Sequence, residues 1–171
     1  MTLKLRNSEL VFELKTLILN FWSFLLLLMI CFLILISATL SFSKEKFKRD
    51  SVVVSTISGN HKFEVELAET KIQQQQGLQN RKILNLNSGM LFVFKSHEPV
   101  AMWMKNTFVS LDILFLSSDG KIINIAQNTN PLSLDAILSN DPVKGILEIN
   151  AGSVTRLKIR IGDKVHHSAF K

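Results

Sequence analysis

The chain has 171 residues, room for one domain of ordinary size plus an appendage, and 47% of them are hydrophobic. Its formal net charge of +6 divides evenly: residues 1–50 carry seven Lys/Arg against four Asp/Glu, and residues 51–171 carry thirteen against ten, interleaved with no basic patch. That pattern argues against nucleic acid as a partner, and a single cysteine, Cys31, excludes a disulfide framework or a Cys-type zinc site.

No charged residue occurs between Lys15 and Lys44, and residues 17–40 are apolar apart from Asn20, Ser23, Ser37 and Thr39. About 20 apolar residues span the hydrocarbon core of a bilayer, whereas the apolar region of a secretory signal runs about 7 to 15. The length favours a transmembrane anchor at 17–40 behind an N-terminal flank at 1–16. The alternative is a long signal peptide cut near Ala38 or Ser43, which would release a secreted domain. Cys31 lies inside the run, where an embedded thiol is expected rather than a lipidated one. Lysines and arginines flank both ends, so the positive-inside rule assigns no orientation. Residues 41–50 read as a charged linker.

The globular part, 51–171, opens with period-two runs. SVVVSTI and KFEVELA flank residues 58–61, a hairpin connection, and in the second run Phe63, Val65 and Leu67 alternate with charged residues. Thr70 is a natural N-cap for a helix through TKIQQQQGLQNR, with Gly77 as its stop. Strands are expected at 89–94, 100–107, 111–116 and 121–127, the last two joined by a hairpin at Asp119-Gly120. Residues 128–142 read as a long loop, 145–150 as a strand, 153–158 as a helical turn, and IRIGDKV as the closing strand. About seven strands and one main helix predict a mostly β, α+β domain, barrel-like or sandwich-like, preceded by one transmembrane helix.

From about Phe63 to Val165 the chain resembles the family catalogued as domain of unknown function 192. The resemblance is carried by VELAET at 65–70, GL at 77–78 with Arg81, GMLFVF at 89–94, WMKNT at 103–107, LDILF at 111–115, GKI at 120–122, LEINAG at 147–152 and GDKV at 162–165. Departures are Gln73, Gln74 and Gln79, where the family usually shows a Glu and Arg pair and a Met, and Ser110, where it often has proline. The resemblance implies a compact β-rich domain, often secreted or membrane-attached in bacteria, with no established activity. Placement of the globular part in the periplasm or outside the cell follows from the resemblance alone.

Chemistry-bearing residues concentrate at 102–112. If 100–107 is a strand, Trp103, Lys105 and Thr107 share one face, and an indole beside an ammonium and an amide suits a small polar or anionic ligand. Arg81, Trp103, Lys105, Asn106 and Asp112 are the candidate ligand-binding residues. The bland alternative has Trp103 plugging a barrel end, Asn106 and Thr107 bonding a turn, and Asp112 pairing with Lys105. A second alternative is soft-metal binding of Cu(I) by Met102, Met104 and His97, with His97 expected in a loop. A third is an enzyme using Lys105 or Asp112 as general acid or base, with Arg81 or Glu148 nearby. Glu148, alternating with Leu147 and Ile149, reads as a solvated or salt-bridged position. His166 and His167 face opposite ways on a strand, a poor chelating pair. No hydrolase, kinase or phosphate-loop signature occurs, and no resident cofactor is expected. The sequence reading is a membrane-anchored binding or accessory module for a small molecule or a protein partner.

Overall fold

A computed structural model describes residues 2–40 and 46–170, with side chains described for 15–34 and 46–170. It divides into an N-terminal unit ending at Lys44 and a globular unit from Glu45 onward. The first is one helix, α1 (Thr2–Leu40). Its segment Lys15–Ile34, with mean hydropathy 2.6 and none of it buried, is long and apolar enough to cross a membrane, a property that signal sequences share. The expected cleavage site at Ser43 lies outside the described residues, as do residues 41–45 of the expected linker. The rest of that linker already enters the domain, because β1 starts at Lys48.

The globular unit is built on β1 (Lys48–Thr56), β2 (Gly59–Ala68), α2 (Lys71–Gln76), β3 (Ser88–Glu98), β4 (Ala101–Met102), β5 (Leu111–Leu116), β6 (Ile122–Ala126), β7 (Ile137–Leu138), β8 (Val143–Asn150), α3 (Ser153–Arg156) and β9 (Lys164–His166). Seven strands form one curled sheet in the order β6-β5-β8-β3-β2-β1-β9, and β4 and β7 pair separately. The end strands approach each other at Lys121 and Lys164, where the Val165 N–H donates to Gly120 O at 2.8 Å, giving a half-barrel. The pairing is antiparallel except between β2 and β3, whose parallel register requires a crossover; α2 lies in that connection.

The alternation of each strand sorts the core into two layers. Val52, Val54, Phe63, Val65, Leu67, Leu91, Leu114, Leu147 and Ile149 fill the concave layer, closed by Val154, Ile159 and Val165. Met90, Phe92, Phe94, Ile113, Phe115 and Ile146 form a second layer on the other face, covered by Leu78, Met104 and Val143. The central strands β5, β8 and β3 are thus apolar on both faces.

Local signals placed several elements. Thr70 caps α2 through a capping box with Gln73, and Gly77, at φ 47°, ends it. Gly120, at φ 81°, turns the β5–β6 hairpin. The expected closing strand IRIGDKV is strand only from Lys164 onward, and two further segments differ from expectation. Only Ala101 and Met102 of 100–107 are strand, because the chain turns at Asn106 (φ 55°), where the Thr107 N–H bonds Met104 O. The 128–142 segment is no free excursion: it carries β7, and Ser133 O and Ser139 N–H bond Met104 N–H and Val100 O.

Candidate functional site

On the outer face of the sheet the cover is incomplete, and a cavity of about 290 Å³ opens between α2, the segment after it, and residues 100–107. Phe92, Phe94 and Glu148 border it from the sheet, Leu78 and Gly77 from the helix end, and Val100, Met102 and Trp103 from the opposite wall. Lys71 and Lys105 are the cations of its lining.

Each wall is fixed by backbone chemistry. The Gln74 side-chain amide donates to Ala68 O (3.2 Å) and Val93 O (3.0 Å), bolting α2 to β2 and β3. Past Gly77 the chain is stitched to the 105–107 turn: the Asn80 N–H donates to Asn106 O at 2.8 Å, and Asn106 Nδ2 to Gln79 Oε1 at 3.3 Å. Trp103 is 55% exposed at the mouth, and the Lys105 ammonium sits 5.7 Å from the centre of an indole ring, within cation–π range.

Glu148 is the unusual group. It sits on β8 between Met90 of β3 and Ile113 of β5, both fully buried, and is itself only 4% exposed. Among the described residues nothing hydrogen-bonds its carboxyl. Burial pushes that carboxyl up to about 8, the Arg81 charge pulling the other way without offsetting it. Arg81 is committed elsewhere: its guanidinium grips both oxygens of Glu66, with Nη1 to Oε1 at 3.2 Å. At neutral pH Glu148 is therefore an uncharged acid with a free O–H donor beside a cavity.

The sequence candidates are only partly gathered. Trp103 and Lys105 line the cavity, and Asn106 supports its wall through Gln79 and Asn80. Arg81 lies beside it, lining a more polar neighbouring hollow with Glu66, Arg49 and Ser88. Asp112 is not part of the constellation. It is fully buried on the concave face, opposite to Glu148, where its oxygens accept from the Asn128 N–H (2.9 Å) and the Val154 N–H (2.8 Å). Its pairing with Lys105 is thereby corrected: the carboxylate instead anchors the start of α3 and the strand exit after β6. The soft-metal candidates are also dispersed in environment: Met104 is 1% exposed in the second core layer, Met102 lines the cavity, and His97 is exposed on β3 instead of in a loop. No cluster of three or more His, Cys, Asp or Glu suited to a metal occurs among the described residues.

Sequence reasoning gave Glu148 a solvated or ion-paired role, and the structure corrects it. The available signal was Ile146, two residues earlier on the same face of β8, which marks that face as apolar.

A half-barrel domain with two core layers and a cavity under its crossover helix is the class that these features define. The chain belongs to domain of unknown function 192 (DUF192), described as an uncharacterised ACR, whose family model matches residues 53–167. It is similar to a Sinorhizobium meliloti 1021 protein provisionally described as a transcription regulator, at 41% identity and TM-score 0.72, covering 75% of this chain and all of that one. It is also similar to a protein of unknown function from Novosphingobium aromaticivorans DSM 12444, at 36% identity and TM-score 0.70, covering 73% of this chain and 89% of that one. No curated protein matches. The whole of the Sinorhizobium crystal chain lies within the matched three quarters of this one, so that portion forms a folded unit by itself.

Proposed function

We propose that the chain is a membrane-anchored, extracytoplasmic module that binds a small molecule in the cavity beneath α2. One observation carries the reading: Glu148, nearly sealed from solvent and without a hydrogen-bond partner among the described residues, borders a cavity walled by aromatic and apolar side chains. Buried polar groups in native proteins are almost always satisfied, and a nearly buried carboxyl whose outlet is a cavity marks a place where a molecule entering that cavity supplies the partner. Desolvated titratable groups in clefts concentrate at functional sites for the same reason.

The anchor is the apolar segment of α1, and the outward placement follows the membrane-attached or secreted habit implied by the family resemblance. The regulator description of the Sinorhizobium protein is not carried over, since the basic residues of 51–171 are interleaved with acids.

Two experiments test this. Saturation-transfer NMR of the globular unit with pooled small metabolites should find compounds whose signals vanish in Ala101→Trp, which fills the cavity from an exposed wall position. If every compound behaves alike in both proteins, the cavity is not a binding site. An alkaline phosphatase fused after Lys171 should be active; activity of a cytoplasmic reporter alone would reverse the placement.

A further inference from the structure

We infer that the ligand of this cavity is a small organic anion with an apolar body, its negative group balanced by Lys71 and Lys105 and one of its oxygens accepting the proton of Glu148. The inference rests on the cavity being a ligand site and names what that site selects.

Three observations converge. First, the charge types in the lining are two lysines and one carboxyl, Lys71, Lys105 and Glu148. With Glu148 protonated at neutral pH, the two cations have no counter-charge in the lining. Second, the charged groups that face Glu148 from neighbouring elements do not change this sign. Arg81 adds a cation, already neutralised by Glu66 of β2, while β3 and β5 present Met90 and Ile113 beside it. Asp112 of β5 points to the other face of the sheet. Third, the remaining surface is apolar: Phe92, Phe94, Leu78 and Met102 give a body to pack against, and the Trp103 indole holds Lys105 at the mouth.

Other ligand classes fit worse. A cationic amine would meet two ammonium groups and would need to strip the Glu148 proton. A purely apolar ligand would leave the buried acid without a partner, a cost that a low-dielectric setting raises, and would make no use of the two exposed lysines at the rim. An anion satisfies all three groups at once, through charge-assisted hydrogen bonds to the lysines and a neutral-acid donor beneath them.

The globular unit contains one tryptophan, Trp103, because the other, Trp22, belongs to α1. Energy transfer from Trp103 therefore reports probes at this cavity. The probes are 8-anilinonaphthalene-1-sulfonate and the uncharged N-phenyl-1-naphthylamine, which shares its rings without the sulfonate. The sulfonate probe should bind about tenfold tighter at pH 6.5. Between pH 6.5 and 9.5 it should lose about thirtyfold in affinity as the protonated fraction of Glu148 falls. Glu148→Gln, which keeps a donor and cannot ionise, should flatten that profile, and Lys71→Ala with Lys105→Ala should bring the two probes level. Equal binding of both probes with no pH step overturns the anion inference and leaves the cavity reading standing. Binding of neither probe removes both.

Discussion

Replacing Glu148 by glutamine should stabilise the domain, and by an amount that grows with pH. In the folded state the carboxyl holds its proton up to about 8, against an ordinary value of 4.5. Below pH 4.5 the acid is neutral whether folded or unfolded, and its contribution is fully present. As pH rises from 4.5 to 8 the unfolded chain gains by ionising while the folded chain cannot, so stability is lost across that window. Each pH unit is worth about 1.4 kcal/mol, so at pH 7 the native protein has forgone about 3 kcal/mol, and at pH 8, where the folded carboxyl is half ionised, about 4. Glutamine is nearly isosteric and never ionises, so the variant should match the native protein near pH 4.5 and exceed it by about 3 kcal/mol at pH 7. For a domain of this size that is on the order of 10 °C in Tm. Urea denaturation of both proteins at pH 4.5, 6, 7 and 8 measures it, and the difference between the two curves cancels every other titrating group. A difference that stays flat with pH would show that Glu148 ionises in the fold, sinking the description of it as a neutral donor.

Asp112→Ala removes the acceptor of two backbone N–H groups, Asn128 and Val154, and should cost about 2 to 4 kcal/mol in urea denaturation while leaving probe affinity unchanged. A loss of probe binding without destabilisation would put Asp112 back in the site. Gly89→Ala would place a Cβ 2.4 Å from Glu148 O, so the variant should not show the dispersed amide spectrum of a folded domain; a native-like spectrum would refute the tight β3–β8 approach. Thr70→Ala should cost about 1 kcal/mol through loss of the α2 cap, read as a shift in urea midpoint at constant slope.

Where a local rule governed the geometry, the sequence was sufficient. Thr70 and Gly77 mark the ends of α2 because a cap needs a side-chain acceptor and a stop favours positive φ, and both demands are met within one turn. Asp119-Gly120 turned a hairpin for the same kind of reason. Where partners far along the chain decided, the reading diverged. Residues 100–107 have strand composition, but they break off after Met102 because the 128–142 segment competes for their backbone groups. Glu148 looked like the wet position of an alternating strand, and Asp112 like a site residue or a partner for Lys105. On β5 and β8 no face is wet: one side meets the concave core and the other the second layer, so alternation there separates two interiors. The cavity residues were therefore half legible: Trp103 and Lys105 were recognisable by type, whereas Glu148 owed its role to strand order, which no local pattern encodes.

The parallel pairing of β2 with β3 obliges the chain to cross the sheet, and the crossing element is itself a wall of the cavity. Its backbone is held by Thr70 at one end, Gly77 at the other and Gln74 between them, none of which depends on the side chains at 71, 75 or 76. Those three positions can be rewritten without disturbing a single rung of the sheet. On the reading proposed above, the half-barrel would act as a socket with an exchangeable rim, the buried acid being its point of attachment and the crossover helix the source of selectivity.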